Sequence, residues 1–174
     1  RGWWMFRWLG HEATAVLDGG LQQWQRPLES GAPSTPNASD YRPKQPLTRL
    51  WQVQDVEHNL SKPSHQLVDA RSTERFRGEQ EPIDPVAGHI PGAICLPSTD
   101  NLAPSGLFKT AEDLGRRFAN IMSTHTVCYC GSGVTATHNI LAMRLAGLAE
   151  PVLYADSWSG WITDSHRPIA ASDT

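Results

Sequence analysis

The sequence predicts an α/β fold in which a central, mostly parallel sheet carries helices on both faces. Three observations predict it. Beyond residue 50, short apolar runs of strand character alternate with segments of helical period, the pattern of a sheet whose strands are joined by crossover helices. The run Val127-Cys128-Tyr129-Cys130 leads directly into a glycine-containing turn and then a helical stretch through Ala146, so a βα junction sits late in the chain. No apolar run approaches the roughly 20 residues needed to cross a bilayer, and 39% hydrophobic with 19% charged residues is ordinary globular usage.

The elements follow in order. Residues 1–10 read as a helix end with Trp3, Trp4 and Trp8 on a partly amphipathic surface and Gly10 as the stop. Ala13 to Leu17 reads as a short strand, and Asp18-Gly19-Gly20 as a turn into a short helix ending near Trp24. Between Arg26 and Pro46 lie Pro27, Pro33, Pro36, Pro43 and Pro46 among polar residues, the composition of a linker. Val53, Val56 and Leu60 then form a helical stripe, Gln66 to Asp69 a buried strand, and Thr73 to Arg77 a brief helix. Ala93-Ile94-Cys95-Leu96 is the next strand, stopped by Pro97. Leu114, Phe118 and Ile121 lie at helical spacing and mark a core-facing stripe. Val127 to Cys130 is the expected central strand, with ligand chemistry at its carboxyl end.

That end carries Cys130-Gly131-Ser132-Gly133-Val134-Thr135. A thiol there sits near the positive end of a helix dipole and beside backbone amides that Gly131 and Gly133 allow to turn inward through positive φ values. Both influences favour thiolate over thiol, whereas Cys128, inside the strand, reads as a buried structural residue. A thiolate ringed by N–H donors can take a sulfur atom and hold it as a persulfide. Ser132 offers a hydroxyl to substrate or persulfide. Thr135 offers one to the loop backbone or caps the following helix. A cysteine phosphatase would need an arginine after five loop residues to fork around phosphate, and Ala136 stands there. A cysteine protease would need a histidine base; His89 falls in the Gly88 to Gly92 turn, where it satisfies backbone groups, and His138 lies on the helix after the loop.

The loop resembles the active-site loop of 3-mercaptopyruvate sulfurtransferases of the rhodanese superfamily. Asp69-Ala70-Arg71-Ser72 followed by Arg75-Phe76-Arg77-Gly78, and then Gly88-His89-Ile90-Pro91-Gly92-Ala93, resemble the first half of a rhodanese catalytic domain in order and spacing. The resemblance spans about residues 48 to 168 and implies a rhodanese-like three-layer domain. It implies that Cys130 is nucleophile and persulfide carrier, that Arg75 grips a donor carboxylate, and that Ser132 joins a proton relay completed from a preceding domain. It leaves Arg71 as a structural tie between loops. The neutral loop favours 3-mercaptopyruvate as donor over dianionic thiosulfate, for which relatives of the thiosulfate type carry basic residues after the cysteine. Two departures stand out. The family's second arginine, after the Glu-Pro matching Glu81-Pro82, is replaced by Ile83, and its Tyr-Asp-Gly-Ser-Trp becomes Tyr154-Ala155-Asp156-Ser157-Trp158. Trp158 walls the site or packs in the core. A thiosulfate sulfurtransferase and a noncatalytic rhodanese module that only binds partners are the alternative readings.

An internal repeat is visible without any family knowledge. Arg7-Trp8-Leu9-Gly10, Val16-Leu17 and Trp24 return as Arg144-Leu145-Ala146-Gly147, Leu153-Tyr154 and Trp161 at an offset of 137, and Arg26-Pro27 returns as Arg167-Pro168. The expected organisation is a C-terminal remnant of a first rhodanese-like domain over residues 1–30, a Pro-rich linker over 31–47 and a catalytic domain over 48–170. The missing first domain is then an expected partner, beside a small-molecule sulfur donor and a thiol acceptor such as a thioredoxin-like protein or a low-molecular-weight thiol. A net charge of −3 gives no electrostatic case for nucleic acid, and no membrane partner is expected. Three cysteines without a CxxC pair indicate neither a disulfide framework nor a zinc site, so no metal and no cofactor beyond the covalent persulfide is expected, in a reducing, cytoplasmic setting.

Overall fold

The structure, a computed structural model, describes residues 1–32, 35, 37–121 and 123–172. Two of the linker prolines, Pro33 and Pro36, lie outside the described residues. Five parallel strands form one sheet in the order β1-β5-β4-β2-β3, with β1 at Leu50–Trp51, β2 at Gln66–Asp69, β3 at Ile94–Cys95, β4 at Thr126–Tyr129 and β5 at Val152–Tyr154. β4 is central, as its apolar character predicts. Its register runs from Gln66 opposite Thr126 to Asp69 opposite Tyr129 on one side, with Val127 opposite Val152 on the other.

The period-two geometry of strands divides the core into two layers. Leu67, Val127, Tyr129, Val152 and Tyr154 point to one face, where they join Val56, Phe76, Ile90, Trp158 and Trp161. Val68, Cys128, Cys130 and Leu153 point to the other, with Leu114, Phe118, Ile140, Met143 and Trp4. Helices α2 (Val53–Ser61), α3 (Thr73–Arg77) and α6 (Ser157–Trp161) therefore cover the first face, and α1 (Gly2–Trp8), α4 (Ala111–Arg117) and α5 (Ala136–Leu145) the second. This is the three-layer α/β architecture expected from the sequence.

Local signals set the helix ends. The Asp55 carboxylate accepts from the Gln52 amide at 2.8 Å at the start of α2, the Thr110 hydroxyl accepts from the Asp113 amide at 3.1 Å at the start of α4, and Gly78 closes α3 in the left-handed region. Three expectations are corrected. Ala13 to Leu17 forms no strand, because no neighbouring strand among the described residues offers it a ladder. The sheet instead gains β1, two residues long, which pairs with β5. The stripe of α4 ends earlier than expected, with Phe118 at the C-cap and Ile121 in the following turn. No helix among the described residues is long and apolar enough to cross a membrane.

Candidate active site

The carboxyl edge of the sheet gathers the loops after β2, β3 and β4 and the start of α6 around a cavity of about 290 Å³. Its lining includes Arg71, Arg75, Asp84, Ser98, Gly131, Ser132, Thr135 and Ser159. Four residues singled out from sequence, Arg75, Gly131, Ser132 and Thr135, thus meet at one pocket. Cys130 is 1% exposed and belongs to the core cluster behind the lining residues that follow it.

The loop is held from its back. The Cys130 amide donates to Ser157 Oγ at 3.1 Å, and the same hydroxyl donates to the Tyr154 carbonyl at 2.9 Å. The Cys130 and Gly131 carbonyls accept from the Trp158 and Ser159 amides, each at 2.9 Å. Those carbonyls are consumed on the α6 side, while the amides of Gly131, Ser132, Gly133, Val134 and Thr135 donate to no acceptor among the described residues. A run of uncommitted amides ahead of a helix is a backbone arrangement that can receive an anion. Gly133 makes the path possible: its φ is +71°, and a Cβ there would stand 2.3 Å from the Ala155 carbonyl oxygen. Gly131 does not share this conformation, so the expectation of positive φ at both glycines is corrected to Gly133 alone.

Thr135 occupies the N-cap of α5, but its hydroxyl makes no capping bond and lines the pocket instead. Val134 is 41% exposed and faces a second cavity on the α1 side, which Thr135 also borders. Trp158 does not wall the site. It is fully buried, its indole N–H donates to the Val86 carbonyl at 2.9 Å, and the Arg71 guanidinium lies 4.8 Å above its ring. Core packing beneath Arg71 is its role, because the Cys130 and Gly131 carbonyl contacts turn the start of α6 inward.

The two arginines differ in what they are free to do. Arg71 is enclosed: Nη2 donates to Asp69 Oδ2 at 2.7 Å and to the Gly88 carbonyl at 2.6 Å, and Nη1 meets Glu81 Oε2 at 3.2 Å. It ties the end of β2 to two points of the long α3–β3 connection, a structural role as expected. Arg75 reaches the pocket but is also paired, through Nε and Nη2 to Glu81 and through Nη2 to Asp84 Oδ2 at 3.0 Å. Burial alone would push the Glu81 carboxyl up, yet the bonds from Arg75 and from the Asp84 and Ile83 amides outweigh it and hold the carboxyl below its ordinary range.

Cys95 and Cys128 lie where burial favours the thiol over the thiolate. Burial, then the Asp69 charge, pushes the Cys95 thiol up to about 11. Full burial, reinforced by Cys130, pushes Cys128 well up. The two histidines weighed as bases are committed elsewhere. The His89 ring stacks on Phe76 and its Nδ1 lies 2.7 Å from the Phe76 carbonyl, a backbone group of the neighbouring helix α3. His138 Nδ1 is bonded by Asn101, and its ring stacks on Phe108. Reasoning from sequence passed over Asp84, Ser159, Ser98 and Ser157. Ser157 alone carried a signal, its place in the Tyr154 to Trp158 motif; the rest converge only in three dimensions.

Comparisons with known proteins agree with this geometry. Residues 52–164 match the model of the rhodanese-like domain family. Among curated relatives, a probable 3-mercaptopyruvate sulfurtransferase of Pseudomonas aeruginosa is 45% identical over 99% of this chain and 63% of its own length. The human 3-mercaptopyruvate sulfurtransferase is 41% identical over 92% of this chain and 57% of its own, and a chicken thiosulfate sulfurtransferase 34% identical over the same shares. The chain thus spans about three fifths of the curated relatives it matches. Two solved structures share the fold: YnjE, with a TM-score of 0.88 at 24% identity, covering 100% of this chain and 46% of that one, and the anaerobic ergothioneine biosynthesis enzyme of Chlorobium limicola, with 0.82 at 21%, covering 98% and 44%. The ordered motifs, the five-stranded parallel sheet and the matched residues lead to one conclusion: this chain belongs to the rhodanese-like domain family.

Proposed function

We propose that the chain is a sulfurtransferase that moves sulfur from 3-mercaptopyruvate to a thiol or cyanide acceptor through a persulfide on Cys130. The observation that carries this reading is the cradle of uncommitted amides from Gly131 to Thr135, immediately after a cysteine whose own backbone is locked from behind. Such a cradle stabilises the negative outer sulfur of Cys–S–S⁻ without reorganising during reaction. The Cys130 thiolate attacks the donor sulfur; the S–S bond forms as the donor C–S bond breaks, and the electron pair leaves on carbon as the enolate of pyruvate. The donor's thiol proton, passed by the Ser132 hydroxyl at the pocket wall, ends on that carbon. An acceptor thiolate then attacks the outer sulfur, returns the electron pair to Cys130 and leaves as a persulfide. The acceptor is a low-molecular-weight thiol or a thioredoxin-like protein, and the three free thiols fit a reducing cytoplasmic setting.

The pocket's charge supports a monoanionic donor over thiosulfate. Its arginines Arg71 and Arg75 face Asp69, Glu81 and Asp84, so the cluster has more carboxylates than cations. The test is intact mass after incubation with 3-mercaptopyruvate. One added sulfur mapped to Cys130, lost with turnover in Cys130→Ser, is expected. An adduct on Cys95 or Cys128 overturns the nucleophile, faster loading by thiosulfate overturns the donor, and no adduct from either donor leaves a binding module.

A further inference from the structure

Arg75 is the cation best placed to receive a donor carboxylate, but in the resting pocket that place is taken. Asp84 Oδ2 lies 3.0 Å from Arg75 Nη2, while Asp84 Oδ1 accepts from the Ser159 hydroxyl at 2.7 Å. The pair sits against the loop: a Cβ on Gly131 would lie 3.6 Å from both Arg75 Nη atoms and 4.0 Å from Asp84 Oδ2. Asp84 and Ser159 come from different segments, the 81–84 loop and α6, and both line the same cavity as Ser132 and Thr135. Glu81 behind them is almost fully buried and is shared between Arg71 and Arg75. Glu81 is therefore a fixed counter-ion, whereas Asp84, held by one guanidinium contact and one serine, is the exchangeable one.

We propose that Asp84 is a specificity-determining residue that occupies Arg75 in the manner of a donor carboxylate, so that every anionic donor must compete with it. The proposal rests on the sulfurtransferase reading for the identity of the donor, but not for the competition itself. An entering anion loses an attractive partner to Asp84 and meets a like charge beside it. The penalty scales with the donor's charge. A monoanion suffers it once and a dianion twice, so Asp84 sets preference for singly charged donors as well as lowering affinity for all of them.

Asp84→Asn tests this, because the amide oxygen can still accept from Ser159 while the charge is gone. Binding of pyruvate and of thiosulfate is measured by calorimetry in the Cys130→Ser background, where no sulfur moves, and donor KM values are measured with Cys130 intact. Asp84→Asn should bind pyruvate roughly tenfold more tightly, the effect of one close charge partly screened by water, and gain more for thiosulfate. The donor KM should fall in the same order. Asp84→Glu should return both affinities toward the starting values. Unchanged or weaker anion binding in Asp84→Asn overturns the proposal, as does an equal gain for both anions. Since the calorimetric arm needs no turnover, a protein that fails to transfer sulfur but shows these shifts defeats the sulfurtransferase reading and leaves the role of Asp84 standing.

Discussion

The two segments that read as a repeat in the sequence begin alike and end differently. Arg7-Trp8-Leu9-Gly10 and Arg144-Leu145-Ala146-Gly147 both close a helix, and Gly10 and Gly147 take nearly the same left-handed φ, +80° and +77°. Beyond the glycine the copies diverge. Leu153-Tyr154 lies in β5, between β1 and β4, and Trp161 is fully buried. Val16 and Leu17 are about half exposed and pair with no strand among the described residues, and Trp24 is 41% exposed. A helix stop is written in a few residues, since its hydrogen bonds close locally. A strand is written partly in its neighbours.

The widest separation is expected at the tryptophans. Trp161 sits under the Arg167 guanidinium and donates to the Pro168 carbonyl at 3.0 Å, so Trp161→Ala should lose about 3–5 kcal/mol of stability. Trp24→Ala should stay within about 0.5 kcal/mol. Urea unfolding of the two variants measures this, and equal losses would mean that Trp24 is covered in solution.

A smaller effect should run the other way. A Cβ on Gly10 would stand 2.7 Å from Lys44 Cβ and 2.8 Å from the Gln45 carbonyl oxygen, whereas nothing lies within 4 Å of one on Gly147. Gly147→Ala then carries only the left-handed backbone cost of about 1–2 kcal/mol, and Gly10→Ala adds crowding of about 1–3 kcal/mol. Thermal unfolding that ranked them in reverse would show that the segment around Lys44 yields freely.

The smallest difference concerns the arginines. Both reach the same Glu150 carboxylate oxygen, Arg7 at 2.9 Å and Arg144 at 2.5 Å, and both lie over the Trp3 ring. The Arg7 side chain is 14% exposed and that of Arg144 41%, so Arg144→Ala should cost no more than about 0.5 kcal/mol and Arg7→Ala about 1 kcal/mol. Because they share one acceptor, the double variant should depart from additivity; strictly additive losses would dissolve the link between the copies.

What could be read from the sequence follows the same division. β2 and α3 fell on the residues expected, since a buried run and a Ser72 cap with a Gly78 stop are local instructions. β1 was invisible because two residues carry no period, and Leu50–Trp51 are defined by lying opposite Leu153 and Tyr154. At the site, Cys130 and Ser132 could be singled out from the chemistry of their own loop and Arg75 only through the family resemblance; Ser132 and Arg75 line one pocket. Asp84 and Ser159 could not be singled out, since their importance lies in meeting across 75 positions of chain. The strained backbone of Ser157, at φ +54°, has no signature in residue type at all.

The bonds from Trp158 and Ser159 to the backs of Cys130 and Gly131 separate the reactive loop into two sides with different inheritances. The side toward the pocket answers to whatever enters it, and the side toward α6 answers only to shape. Substitutions across Ala155 to Ser157 are therefore expected to shift the Gly131 to Thr135 backbone while every pocket-lining residue keeps its identity. A search for altered chemistry at this pocket has a second handle there, behind Cys130 rather than in front of it.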